Sequence, residues 1–329
     1  MGVNERGLKV LEQYDLKVLG TRRGRGSFIC ETDRGLKLIA EFYGSAKRLR
    51  FQNRALDYLR EQGYALVDRT VENAEGELVT KDRDETVYIV KDWFEGKECD
   101  TKNEGDILAA VRNLANLHRL LRLPQEEDAE TYAGDRLDEE YAARNREIKR
   151  AWNYMRGRRR KSEFESCFLN SYSMFFEQAQ EAQRELTDSA YGEMYEEAMK
   201  QGRLCHGDYN QHQVLNTKKG TATTNFGKCR YDVQTGDLYQ FLRKILEKQD
   251  WDIKLGMAMV EEYDKMVALG RREREYLRIR LAYPEKFWKL ANHYYNHNKA
   301  WIPGKSVEKL RMLISQQQKM NAFLKTLDF

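Results

Sequence analysis

The sequence predicts an α+β chain, with a small antiparallel sheet and one helix first and a larger, mainly helical portion after it. Three observations carry this. Short apolar runs separated by glycine-bearing turns fill the first part of the chain. Beyond Gly96 the apolar residues recur at helical spacing and prolines are rare, with only three in the whole sequence. A single non-helical island, Leu204-Cys205-His206-Gly207-Asp208-Tyr209, then interrupts the helices, with Tyr231-Asp232-Val233 downstream of it.

The elements follow in order. Leu16-Lys17-Val18-Leu19 and Phe28-Ile29-Cys30-Glu31-Thr32 read as two strands around a turn containing Gly24 and Gly26. Gly35 to Phe42 reads as a third strand. A helix is expected from Ala46 to Gln62, with Leu49, Phe51, Leu56 and Leu59 on its apolar face and Gly63 ending it. Residues 66–70, 77–80 and 86–90 read as further strands. From Asp106 to Arg122, Ile107, Val111, Leu114, Leu117 and Leu121 repeat at helical spacing. Residues 137–200 read as two long helices broken near Gly157. Asp237 is placed to cap a helix running through Leu246, and further helices are expected over 253–269, 271–297 and 305–326.

Composition excludes several classes. In 329 residues, 57 basic and 53 acidic side chains leave a net charge of only +4, so no polyelectrolyte partner is implied. The run Arg156-Gly157-Arg158-Arg159-Arg160-Lys161 reads as a solvated helix end, because no aromatic residue interleaves it as single-stranded nucleic acid would require. Five cysteines without a Cys-x-x-Cys pair read as reduced intracellular thiols. The N-terminus lacks an apolar signal core, and no apolar run approaches the roughly 20 residues that span a bilayer. His293 and His297 lie four apart without a third ligand, so a zinc site is disfavoured. The aromatic group Phe287, Trp288, Tyr294, Tyr295 and Trp301 reads as core packing in preference to a cation cage.

The chemistry concentrates at two carboxylates. Asp208 can accept a proton from a substrate hydroxyl, and Asp232 can hold Mg²⁺ against nucleotide phosphates. His206 serves as a hydrogen-bonding scaffold of the loop. His-Gly-Asp-x-x-x-x-Asn is the pattern of a small-molecule kinase loop, yet its last position here is Gln213. The longer side chain keeps the carboxamide but moves its oxygen by about 1.5 Å, and Mg²⁺ tolerates misplaced ligands poorly.

These blocks, in this order, resemble the aminoglycoside-phosphotransferase and choline-kinase type of protein-kinase-like fold. More narrowly, Leu204 to Leu215, Asp237 to Lys248, Tyr283 to Trp288, Ala291 to Asn296 and Lys299 to Lys305 resemble the CotS family of spore coat proteins. The resemblance implies a two-lobed protein, with an N-terminal lobe over 1–90, a hinge over 91–100 and a helical lobe over 101–329. It also implies an ATP and Mg²⁺ site. By alignment with that family, Ala40 stands where the phosphate-pairing lysine belongs and Gln52 where its helix glutamate belongs. Lys37 points to the opposite face of the strand from Ala40. Gly24 and Gly26 supply half of a glycine-rich phosphate loop, and Trp93 falls in the hinge beside the cofactor. Arg22, Arg23 and Arg25 make the turn cationic, whether to hold phosphate or merely in solvent. Only four residues separate Asp232 from Asp237, which leaves no room for an activation segment.

The resemblance, with these departures, implies a spore coat component of weak or absent phosphotransfer, a pseudokinase. It would be made in the mother cell and associate with other coat proteins. The alternatives are an active ATP- and Mg²⁺-dependent kinase acting on the hydroxyl of an amino-alcohol or sugar, and nucleotide binding without transfer.

Overall fold

The computed structural model describes residues 5–24, 26–124, 129–297 and 304–327. Arg25, Trp301 and the side chain of His297 lie outside the described residues. By contact the chain divides into two compact units, Met1–Pro124 with Gly202–Arg230, and Gln125–Gln201 with Tyr231–Phe329.

In the first unit, strands β1 (Val18–Gly24), β2 (Ser27–Thr32) and β3 (Gly35–Glu41) precede helix α1 (Ala46–Glu61). Strands β4 (Thr80–Lys81), β5 (Val87–Asp92) and β6 (Gly96–Glu98) and helix α2 (Glu104–Leu120) follow. The sheet runs in the order β1-β2-β3-β5-β4, antiparallel throughout. Phe28, Cys30, Ile39, Tyr88 and Val90 share one face, and Val10 and Leu11 from the N-terminal 3₁₀ segment Glu5–Gln13, with Tyr14 just after it, pack against it. Ser45 caps α1 by accepting from the Arg48 amide.

Residues 66–70 correct the sequence reading. They form no strand, but make two single bridges, Val67 to Thr223 and Thr70 to Lys91. Residues 77–80 contribute only the start of β4. Later in the chain this unit adds β7 (Leu204–Cys205), β8 (Val214–Thr217) and β9 (Gly220–Thr223), and β6, β8 and β9 make a three-stranded antiparallel sheet.

The second unit is helical: α3 (Leu137–Gly157), α4 (Glu163–Asp188), α5 (Tyr191–Lys200), α6 (Thr235–Lys248), α7 (Ile253–Asp264), α8 (Arg271–Ala282), α9 (Glu285–His297), α10 (Gly304–Ser315) and α11 (Gln317–Lys325). The break at Gly157 is where the sequence placed it, and a Ser162/Glu165 capping box starts the next helix. A second break, unforeseen, falls at Ser189, whose hydroxyl donates to the Leu186 carbonyl and accepts from the Tyr191 amide. The helix expected over 271–297 is two, because Pro284 cannot donate into the ladder. Asp237 lies in the first turn of α6, after Thr235, so it does not cap the helix.

Phe287 and Tyr294 are buried with Phe164, Phe168 and Phe175, and Phe287 stacks on Phe168 at 4.4 Å. Core packing, as read from the sequence, accounts for them. Among the described residues no helix is long and apolar enough to cross a membrane.

Candidate functional site

The His-Gly-Asp loop leaves β7 and is built around a buried imidazole. His206 Nδ1 accepts the Asp208 amide at 3.1 Å, so Nε2 carries the proton and donates to the Thr224 carbonyl at 2.9 Å. The ring also packs against Phe226, centroid to centroid 4.5 Å. Gly207 has φ +80°, and a Cβ there would stand 2.2 Å from the Lys228 carbonyl oxygen. Only glycine lets the two backbones approach this closely.

Asp208 is held but not sealed. Its carboxylate is 23% exposed, Oδ1 accepts from Asn210 Nδ2 at 3.3 Å, and Lys228 Nζ lies 3.5 Å from Oδ2. Asn210 braces the turn further by donating to the Asp208 carbonyl and accepting from the His212 amide. An oriented, partly exposed carboxylate of this kind can take a hydroxyl proton.

Gln213 turns toward the end of the β8–β9 hairpin. Its carbonyl accepts the Thr224 amide at 2.9 Å, and its carboxamide oxygen accepts from the Thr224 hydroxyl at 3.3 Å. Next comes Asn225, with φ 66° and ψ 54° in the left-handed region that Asn tolerates. Its side chain is exposed. Its amide donates to Asp68 Oδ2 at 2.9 Å, the oxygen that also accepts Lys91 Nζ at 3.0 Å. Asp68 is 1% exposed and its Oδ1 has no partner.

The sheet positions are distributed as follows. Ala40 pairs with Ile89 and Leu38 with Lys91, so Lys91 shares a face with Ala40. Lys37 points the other way and is committed there, donating to Asp92 Oδ1 at 2.7 Å and to the Arg34 carbonyl at 2.9 Å. Gln52 is buried on α1 with its amide nitrogen unpartnered. Gly24 pairs with Ser27 at the β1–β2 turn and Gly26 takes φ +66°. Trp93 is tied by its amide to the Leu36 carbonyl at 3.0 Å. His206, Asp208 and Gln213 are thus brought together by Thr224, and Ala40, Gln52, Gly24, Gly26 and Trp93 belong to the same unit. Asp232 belongs to the second unit, where it is 8% exposed and its Oδ1 accepts the Val233 amide at 2.8 Å.

The family described as "Spore coat putative kinase YutH" matches residues 8–327. The chain belongs to that family. It is 24% identical over 308 residues to spore coat protein S of Bacillus subtilis (strain 168), covering 92% of this chain and 87% of that protein. Among solved structures, an aminoglycoside phosphotransferase from Alicyclobacillus acidocaldarius superposes with a TM-score of 0.87 at 20% identity, covering 99% of this chain and 96% of that one. The amicoumacin kinase hAmiN, solved with AMP-PNP, Ca²⁺ and Ami, superposes with a TM-score of 0.59 at 12% identity, covering 97% and 94%. The fold is therefore protein-kinase-like: an N-terminal antiparallel sheet with one helix, then a larger, mostly helical part.

Within this family member, the sequence reading passed over Asn225 and Asp68. Asn225-Phe226-Gly227 carried a signal, since it differs by one amide from the metal-binding Asp-Phe-Gly of protein kinases. Asp68 carried none, because its partners are distant in the chain.

Proposed function

We propose that this chain is a structural component of the spore coat whose kinase-like fold has lost phosphotransfer, with Asn225, not Asp232, in the metal-carboxylate position. The observation that carries this reading is the contact of residues 224–226 with the His-Gly-Asp loop. Thr224 and Phe226 both meet His206, and Thr224 also meets Gln213. In a protein kinase the Asp-Phe-Gly carboxylate and the loop asparagine hold the magnesium ions together. The same two places here offer the neutral carboxamides of Asn225 and Gln213.

Magnesium is a hard cation that demands near-octahedral oxygen geometry and is held chiefly by carboxylates and phosphates. A neutral pair, one of them longer by a methylene, does not fit it. Asp68 supplies no substitute, since it is 1% exposed and its charge is already matched by that of Lys91. On the sheet, the cation nearest Ala40 in register is Lys91, and that carboxylate holds it. The loss of phosphotransfer leaves the surface of the fold as the working part, with other coat proteins as partners and synthesis in the mother cell.

The test is Mn²⁺ binding in the presence of ADP, followed by electron paramagnetic resonance. The wild-type protein and Asp232→Asn are expected to bind none. Asn225→Asp combined with Gln213→Asn is expected to gain a site. Sustained ATP turnover by the wild-type protein, abolished in Asp208→Asn, would overturn the reading. That outcome belongs to the second reading, an active small-molecule kinase, which the oriented carboxylate of Asp208 favours.

A further inference from the structure

The second unit contains a cluster of cations and phenols that phosphotransfer does not require. Three carboxylates in it are already engaged. Arg144 and Lys289 hold Glu285 at 2.7 and 3.0 Å, Arg243 and Lys286 hold Glu247 at 2.6 and 3.3 Å, and Glu140 pairs with Arg144 at 2.8 Å. Arg280 is different. Its Nη1 donates to the Tyr276 hydroxyl at 2.7 Å, and its guanidinium lies 4.2 Å from the centre of the Tyr239 ring. It forms no ion pair with any described residue, and its Nε is buried without a partner.

The phenols around it are incomplete in the same way. Tyr141 and Tyr239 are 1% and 3% exposed, and both hydroxyls lack a hydrogen-bond partner. The Tyr141 ring stacks at 3.7 Å on Tyr283, which follows Arg280 by three residues at the end of α8, and Tyr239 lies under the guanidinium itself. Burial pushes both phenols upward from their ordinary range, and the Arg280 charge pulls each of them back. Raised in this way, both phenols stay protonated at neutral pH and can donate. Four orphaned groups, Arg280 Nε, Arg243 Nε and these two hydroxyls, therefore lie in one neighbourhood, with both guanidinium groups over the Tyr239 ring and the carboxylates of Glu247 and Glu285 already held by cations. Gly236, in the first turn of α6, removes the side chain that would otherwise border the guanidinium, since a Cβ there would stand 3.6 Å from Arg280 Nη1.

We propose that Arg280, with Tyr141 and Tyr239, forms a binding site for a small oxyanion, a phosphate or a carboxylate. A partly buried guanidinium without a counter-ion is costly, and a tyrosine face offsets only part of that cost. An oxyanion completes it. The unused Nε edge of Arg280 matches two oxygens of a carboxylate or phosphate in the planar geometry that guanidinium recognises, and the two hydroxyls donate to what remains. The same charge repels an amine, so the site selects anions over cationic ligands. This proposal rests on the second unit alone and stands whether or not the Asn225 reading does.

The test is thermal stability and calorimetry of the full chain titrated with sodium phosphate, sodium acetate or sodium chloride at matched ionic strength. Phosphate or acetate is expected to bind saturably, and chloride is not. Preference between the two distinguishes a phosphate from a carboxylate ligand. Arg280→Gln is expected to weaken binding about tenfold or more, the loss of a charge-assisted hydrogen bond. Tyr141→Phe, which keeps the ring and the packing, is expected to weaken it several-fold and carries the test if Arg280→Gln fails to fold. Absence of saturable binding by either oxyanion, or binding unchanged in Tyr141→Phe and in a folded Arg280→Gln, overturns the proposal and assigns the orphaned groups to buried water.

Discussion

His206 donates its Nε2 proton to the carbonyl of Thr224, and with its other nitrogen it accepts the Asp208 amide. One fully buried imidazole therefore ties the loop that carries the base to the strand end that carries Asn225. Replacing it with alanine removes both bonds and orphans a buried carbonyl and an amide, at about 1–3 kcal/mol for each group left unsatisfied. His206→Ala is expected to lower the stability measured in urea by about 3 kcal/mol. A loss below about 1 kcal/mol would show that the loop is held by other means.

Gly207 makes a sharper case, because two penalties coincide. Its φ of +80° is one that side chains rarely adopt, and the Lys228 carbonyl occupies the place of its Cβ. Neither backbone can retreat without disturbing the His206 contacts. Gly207→Ala is expected to cost more than the roughly 1 kcal/mol of left-handed strain alone, while Gly26→Ala, with a positive φ but open space around it, costs only that strain. Equal losses in the two variants would show that the close approach does not matter.

These contacts also mark what could be read in the sequence. His206, Gly207 and Asp208 are adjacent in the chain, so their loop was legible as a motif, and α1 was legible from its apolar spacing and the Gly63 that ends it. Asp68 was not legible. It lies in a segment read as a strand, and its meaning comes from Lys91 and Asn225, which are 23 and 157 residues away. Asn225 is obscured for a different reason: it carries an amide where the chemistry of metal binding calls for a carboxylate. Arg280 carries no signal in the sequence, because the Tyr239 ring beside it comes from a different helix, α6.

Lys91 and Asp68 form a buried pair, with side chains 11% and 2% exposed, and Asp68 also accepts the Asn225 amide. Removing one partner strands the other charge, which costs about 3–5 kcal/mol. Lys91→Met is expected to fall in that range. The double variant Lys91→Met/Asp68→Asn, which removes both charges and keeps an acceptor for the Asn225 amide, is expected to recover more than half of the loss. A double-mutant cycle in urea measures this, and additive losses would mean that the two charges do not stabilise each other.

Glu285 supplies a prediction with a sign. Burial pushes its carboxyl up, but Arg144, Lys289 and Arg243 together more than offset this and leave it below the ordinary 4.5. A carboxylate depressed in the folded state contributes stability that is fully present above its unfolded value and is lost as pH falls through its folded value. Glu285→Gln keeps the shape but not the charge and leaves Arg144 with Glu140 alone. The variant is expected to be less stable at pH 7 by about 3 kcal/mol. Its deficit should shrink as pH falls below about 4.5, because the protonated wild-type side chain comes to resemble the amide. Urea titrations of both proteins from pH 7 to pH 3 measure the difference directly. A deficit that stays constant or grows toward acid would mean that the carboxylate is not held below its ordinary range by these cations.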